Sequence, residues 1–251
     1  MEYTLKKSLG QHFLHDDKIC HAIVDAIPAC ERLVEVGPGA GAITKYMLQI
    51  PAVDFKAVEL DDEKVAYLEK TYPAIRGKII HESILDCAAP FTAPFTVVGN
   101  FPYNISSQIL FRVLEWKDQV PVMIGMFQKE VAKRIVSGPG NKDYGILSVL
   151  VQAYYTAEYL FDVPPTAFNP PPKVDSGVIQ LTRRTDVVTM KSEKSFIAVV
   201  KAAFGQRRKM LRNPLKPYFT SAQLEDPIFT KRAENLTFED YAALTFKMHN
   251  P

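Results

Sequence analysis

The strongest constraint in this chain is its hydrophobic period, which switches repeatedly between about residues 18 and 155. Short apolar runs rich in β-branched residues alternate there with stretches of helical spacing. Residues 18–27 bring Ile19, Ile23, Val24 and Ile27 onto one helical face. Residues 32–36, RLVEV, read as a strand, and a glycine-rich turn follows into a helix over 42–49. Further strands are expected at 53–60, 78–81, 95–99 and 121–127, and helices at 63–71, 106–116, 129–136 and 145–155. This alternation specifies an α/β fold, because a parallel strand pair needs a long crossover and the crossing helices cover both sheet faces. The pattern then changes. AEYLFDV and SGVIQLTRR are joined by the proline-rich loop PPTAFNPPPK with no helix between them, which predicts an antiparallel hairpin at the sheet edge. Beyond Arg184 the segments turn helical and basic. The expected organisation is an α/β domain over 1–185 and a small all-helical domain over 186–251.

Composition removes several function classes. No uninterrupted apolar run approaches the ~20 residues that span a bilayer, and the opening MEYTLKKSLGQHFLHDD has no apolar signal core. A cytoplasmic protein with no membrane partner is therefore expected. Cys20, Cys30 and Cys87 are odd in number and form no C-x-x-C pair, so they read as reduced thiols. The five histidines are scattered, and no metal is expected. The net charge of +2 says little, but residues 195–224 hold six basic residues and no acidic one. Arg207, Arg208, Lys209 and Arg212 form the densest part. Such a run is either a solvated face or the footprint of a polyanionic partner, and thirty residues without a carboxylate favour the second.

Three motifs carry chemistry. In LVEVGPGAGAIT a strand ends at Val36, and Gly37, Gly39 and Gly41 let the backbone turn tightly and approach a ligand. The spacing is G-x-G-x-G, and alone it also fits a turn with no ligand. Glu59 stands at the end of the second strand, 18 residues beyond Gly41. A carboxylate there can accept both hydroxyl protons of a ribose, so an adenosine-containing ligand is expected. Its other role would be helix N-terminal charge, which Asp61, Asp62 and Glu63 can supply without it. The third motif is Asn100-Phe101-Pro102-Tyr103, an amide, two rings and a proline at the end of a buried strand. It resembles the N/D-P-P-Y/F signature of enzymes that methylate exocyclic amino groups of bases. Adenine's amino nitrogen is a poor nucleophile because its lone pair is delocalised into the ring. Acceptors at the Asn100 side chain and the Phe101 carbonyl would grip its N–H bonds and direct the lone pair at a methyl donor. Pro102 fixes the turn, and the Tyr103 ring offers a stacking face for an extruded base. The proline-rich loop adds Phe168, a second ring for the base's other face; its bland role is a rigid linker.

Together these motifs resemble the ribosomal RNA adenine N6,N6-dimethyltransferase family, nearly end to end. SLGQHFL, EVGPGAGAIT, VEL, GNFPYNISS, FQKEVAKRI, YGILSVLVQ, FNPPPKVDSGVI and FGQRRKMLRN occur in the family's order. The resemblance implies a Rossmann-like class I S-adenosylmethionine methyltransferase sheet. S-adenosylmethionine would be the methyl donor, with the Gly37–Gly39 turn under its amino-acid moiety, Glu59 on its ribose, and His12 and Leu14 closing over it. Asn100 would touch both donor and target. The implied substrate is a pair of adjacent adenosines in the 3′-terminal hairpin loop of small-subunit ribosomal RNA. It would be presented on an immature 30S particle during ribosome biogenesis and met by a monomeric enzyme whose basic carboxyl domain holds RNA. One departure stands out: where the family has a Gly-Asp pair for the cofactor adenine, this chain has Glu82-Ser83, followed by Ile84. Ser83 and Ile84 are expected to take that place, with Glu82 or Asp86 as alternatives. Three other readings stay open. A nicotinamide-dependent oxidoreductase would share the Gly turn and Glu59 but has no use for residues 100–103. A large-subunit RNA methyltransferase conferring drug resistance and a ribosome-assembly factor with incidental catalysis share the motifs.

Overall fold

A computed structural model of the chain describes residues 12–249. The chain forms β1 (Phe13–Leu14), α1 (Asp17–Asp25), β2 (Arg32–Val36), α2 (Thr44–Met47), β3 (Asp54–Val58), α3 (Asp62–Thr71) and β4 (Ile79–Ile80). It continues through β5 (Thr96–Asn100), α4 (Ser106–Glu115), β6 (Val122–Gln128), α5 (Lys129–Val136), α6 (Ile146–Gln152) and β7 (Tyr155–Val163). Last come β8 (Phe168–Asn169), β9 (Ser176–Arg183), α7 (Glu193–Gly205) and α8 (Phe238–Lys247). Seven strands make one sheet in the order β4-β3-β2-β5-β6-β9-β7. The pairs from β4 to β6 are parallel, and β6 pairs with β9 antiparallel, from Val122 opposite Thr182 to Gln128 opposite Ser176. The expected α/β sheet with an antiparallel edge is the observed one.

The local chemistry explains the elements. Asp16 caps α1 by accepting from the amides of Lys18 and Ile19, and Asp61 caps α3 by accepting from Glu63, each satisfying orphan donors of a first turn. Leu33, Val34 and Val36 are at most 2% exposed, as a central strand covered on both faces requires. Each such side chain contributes about 1.5–3 kcal/mol on burial. Phe101 leaves β5 and turns back into the core, where it is 1% exposed. Its ring lies edge-on to Phe127, with centroids 5.2 Å apart. A Cβ on Gly99 would stand 2.6 Å from this ring and one on Gly125 2.5 Å. Two glycines on neighbouring strands thus make the space that the phenyl group fills.

Three features depart from expectation. The helix over 42–49 contracts to Thr44–Met47, flanked by turns closed by i→i+3 bonds such as Gly41 N to Pro38 O and Ile50 N to Met47 O. β1 and β8, two residues each, pair with Leu14 opposite Phe168 and Phe13 opposite Asn169; two-residue strands leave no periodicity to read. The chain also forms two compact units that are not contiguous in sequence. One consists of residues through Ala132 with Glu158–Arg183, the other of Lys133–Ala157 with the residues from Arg184 onward. The second crossover at 183/184 lies beside the boundary expected at 185, but α6 and its flanks belong to the carboxyl unit. Packing explains this. The Tyr144 hydroxyl donates to the Leu236 carbonyl at 2.9 Å, and the Phe204 ring lies between those of Tyr144 and Tyr241. In that unit 206–222 is a series of turns, and Met210 forms an isolated antiparallel bridge with Arg232.

Candidate active site

The strand order runs from β2 outward to β3 and β4, then returns to β5 on the other side of β2. In an open parallel sheet, the carboxyl ends at such a reversal bound a crevice. Gly37 follows β2, Glu59 follows β3 and Asn100 ends β5, and all three line one cleft. The first turn needs its glycines, because Gly37, Gly39 and Gly41 have φ of 68°, 58° and 82°, a region that costs other residues about 1–2 kcal/mol. A Cβ on Gly41 would stand 2.4 Å from the Tyr72 ring.

Glu59 is 7% exposed. Its Oε2 accepts from Gly39 N at 3.2 Å, and its Oε1 accepts from the amides of Leu60 and Asp61 at 3.0 and 3.1 Å. Because Asp61 caps α3, the carboxylate of Glu59 is not committed to that helix. An ionised carboxylate offers about four acceptor sites, so a fixed, charged acceptor remains for a ligand hydroxyl. Leu60, 57% exposed, stands beside it as an apolar wall of the cleft.

The Asn100–Tyr103 turn is held from two sides. The Asn100 amide donates to the His12 carbonyl at 3.3 Å, which leaves Oδ1 as the acceptor not used by that bond. The His12 ring donates through Nδ1 to the Pro170 carbonyl at 2.8 Å and lies 5.6 Å from the Tyr103 ring. The Tyr103 hydroxyl is 2.5 Å from Ser176 Oγ, and burial raises its pKa, so it stays neutral. His12, Leu14, Gly37, Gly39, Glu59, Ser83, Asn100, Pro102 and Tyr103, all singled out from the sequence, line this one cleft. Ser8–Gln11 of the amino-terminal motif lie outside the described residues.

Two expected residues sit elsewhere. Ile84 is 8% exposed and does not line the cleft, nor do Glu82 and Asp86. Ser83 does, with its Oγ accepting from Leu85 N at 3.2 Å. Phe168 is 2% exposed and packed in the core with Leu14 and Ala167. Its ring is not presented to the cleft; its backbone pairs with Leu14 and so anchors the segment that carries His12. Sequence reasoning missed Phe13 and Glu35, which also line the cleft. Phe13 lies 3.4 Å from where a Gly39 Cβ would be. Glu35 is 2% exposed, and its Oε2 accepts from the Thr44 hydroxyl at 2.6 Å. Burial, opposed by that hydrogen bond and aided by the Glu59 charge, pushes its pKa up to about 8. A lone acid within RLVEV was the available signal.

The basic run of the carboxyl unit divides in the structure. Arg207 is engaged internally: Nε donates to Glu234 Oε2 at 2.8 Å, and Nη2 donates to the carbonyls of Asn141 and Lys142 at 3.3 and 2.7 Å. Arg208, Lys209 and Arg212 are exposed. The bridge between Met210 and Arg232 adds exposed Lys231 and Arg232 to the same strip. Among the described residues, no helix is long and apolar enough to cross a membrane.

The fold is that of the class I S-adenosylmethionine methyltransferases. Solved structures agree at the level of fold: a dimethyladenosine transferase from Plasmodium falciparum superposes with a TM-score of 0.76 at 22% identity, covering 92% of this chain and 94% of that one. The 23S rRNA methyltransferase ErmE gives 0.73 at 22%, covering 95% and 100%. The ribosomal RNA adenine dimethylase family model matches residues 2–248, and the chain belongs to that family. Relatives include the ribosomal RNA small subunit methyltransferase A of Flavobacterium johnsoniae, 51% identical over 97% of this chain and 95% of that protein. That of Cytophaga hutchinsonii is 47% identical over 96% and 95%.

Proposed function

We propose that this rRNA adenine methyltransferase dimethylates the N6 amino groups of two adjacent adenosines in the 3′-terminal hairpin loop of small-subunit RNA. In this reading it acts as a cytoplasmic monomer on an immature 30S particle, with S-adenosylmethionine as donor. The observation that carries the reading is the Asn100 amide, fixed by the His12 carbonyl at the end of β5 and beside the Gly37–Gly41 turn. Near-full-length identity of about half to relatives named for the small subunit supports the choice of particle.

The cleft fits the donor. The turn at Gly37 and Gly39 has no Cβ to obstruct an amino-acid moiety, Glu59 would accept from ribose hydroxyls, and Leu60 with Ser83, in the same cleft, would hold the adenine ring. When bound, the donor supplies an electrophilic methyl group. The chain's own residues prepare the nucleophile. Asn100 Oδ1 and the Phe101 carbonyl accept the two N–H bonds of the target amine, localising its lone pair. The Tyr103 ring supports the extruded base, while Ser176 and His12 hold that ring in place. No strong base is needed, since the amine becomes acidic on methylation. Arg208, Lys209 and Arg212, joined by Lys231 and Arg232, supply phosphate contacts. Arg207 shapes their support.

The test is mass spectrometry of RNA from immature small subunits incubated with labelled donor. Dimethyladenosine at adjacent positions of the 3′ hairpin is expected. Label appearing only in large-subunit RNA supplied in parallel would transfer the assignment to that substrate, and no label in either would refute it.

A further inference from the structure

Glu35 is a buried acid in the cofactor cleft to which the reading above gives no task. It precedes the Gly37 turn by two residues, on the strand between β3 and β5. In register it stands opposite Ala57 on one side and Val98 on the other. By the two-residue period of a strand its side chain shares a face with Leu33, which is wholly buried. Among the described residues, the hydrogen-bond partner of its carboxyl is a neutral group and not a cation. Thr44 of α2 donates a neutral hydroxyl to Oε2. From the end of β3, Glu59 presents a like charge. From α1, Cys20 is a neutral thiol, and beyond α3, Tyr72 is a neutral phenol; burial raises the pKa of both. Lys45 of α2 is paired with Asp17 at 2.7 Å, and Lys64 of α3 lies 5.5 Å over the Phe13 ring. A carboxylate in such a place is costly until a cation reaches it.

We propose that Glu35 exchanges a proton for the cofactor's α-ammonium group: the carboxyl is neutral before binding, releases its proton to solvent as the amino-acid end of the ligand settles on the Gly37 turn, and then pairs with the ammonium as a carboxylate. The inference rests on the cofactor reading above. The geometry favours the amino-acid end, because the Gly37–Gly39 turn that would cradle it is the segment next to Glu35, while the ribose acceptor Glu59 and the adenine wall at Leu60 and Ser83 belong to the ends of β3 and β4. The balance is simple. One O–H bond breaks, the proton leaves to the buffer, and no covalent bond to the ligand forms. With the acid at about 8, about nine-tenths of a proton is available for release at pH 7.

Calorimetry of the full chain with S-adenosylhomocysteine, in buffers of different ionisation enthalpy at pH 7, reads the release directly. Between about 0.5 and 0.9 proton is expected, and affinity should rise with pH between 6 and 8. 5′-Methylthioadenosine, which keeps the nucleoside and lacks the amino-acid end, should bind with almost no release. Glu35→Gln should abolish the release and flatten the pH dependence. If that variant does not fold, Thr44→Val keeps the acid but removes its donor, so the pH dependence should move upward. Three results would overturn the proposal: release below about 0.2 proton, equal release by the two ligands, or wild-type release in Glu35→Gln. Failure of both ligands to bind at all would instead remove the cofactor reading, and this inference with it.

Discussion

Arg207 and its neighbours look equivalent in sequence, yet replacing them should have opposite consequences. The Arg207 side chain is 33% exposed and its partner Glu234 29%. Its guanidinium makes one charged pair and two bonds to the carbonyls at 141 and 142. Fully buried, charge-assisted bonds contribute about 1.5–3 kcal/mol each, but partial exposure lets water replace much of that. Arg207→Ala should therefore lose about 1–2 kcal/mol, or roughly 2–8 °C in Tm for a protein of this size. Its salt dependence of RNA binding should be unchanged. The triple variant Arg208→Ala, Lys209→Ala, Arg212→Ala removes exposed cations and should stay within about 0.5 kcal/mol of wild-type stability. If each contacts one phosphate, the log–log slope of affinity against salt flattens by about 0.7–0.9 per residue, or roughly two to three in total. Thermal denaturation and filter binding to immature small subunits over a salt series measure both quantities. An Arg207→Ala protein with wild-type Tm and a slope one unit shallower would refute the division. A triple variant with an unchanged slope would place the RNA surface elsewhere, and the sequence then points to the proline-rich loop and to Lys6 and Lys7, which lie outside the described residues.

Asn100→Ala removes the acceptor proposed for the target amine and should cost about 10²–10³ in rate with the fold intact; retention of more than about a third of wild-type turnover would contradict the proposed role. Glu59→Ala should weaken cofactor binding by about 1.5–3 kcal/mol per lost charged hydrogen bond, with RNA affinity little changed, and calorimetry with S-adenosylhomocysteine checks it. Gly99→Ala should destabilise by about 1–3 kcal/mol through overpacking against the Phe101 ring. Adding Phe101→Leu should recover part of that loss, and strictly additive effects in denaturant titrations would argue against the packing account. Glu35 gives a pH test of the cofactor-free protein. Its pKa is raised on folding from 4.5 to about 8, so the stabilising contribution is complete below about 4.5 and is lost as pH rises through 8. Glu35→Gln should reduce the fall in Tm across that window.

The parts of the fold that sequence made legible are those where one residue type recurs at a fixed interval. The parallel strands and their helices are stated by runs such as RLVEV and by the face formed by Ile19 and Ile23. Residues 100–103 and Glu59 were legible because their chemistry is unusual for a turn and their neighbours already supplied the bland roles. What could not be read depends on distant partners. Phe168 is an aromatic in a proline-rich loop, and only its place in the core with Leu14 and Ala167 shows that its ring is buried. Arg207 has the same composition around it as Arg208, and Glu234, 27 residues away, together with the carbonyls at 141 and 142, distinguishes them. The pair Gly99 and Gly125 has no local turn to explain it until the Phe101 ring is seen between them.

The division of the carboxyl unit into two separate stretches has an evolutionary consequence. A module built from one continuous stretch can be gained, lost or exchanged by a single recombination event at its boundary. Here the helix over Ile146–Gln152 belongs with α7 and α8, so the unit cannot travel as the segment after residue 184 alone. A chimera joined at that point would match the Tyr144 hydroxyl and the Phe204 ring of two different ancestors, leaving a buried phenol to find a new carbonyl. If the exposed basic strip is the RNA surface proposed above, changes in RNA engagement should accumulate by substitution within it, while the stretch at 133–157 and the carboxyl helices are inherited together.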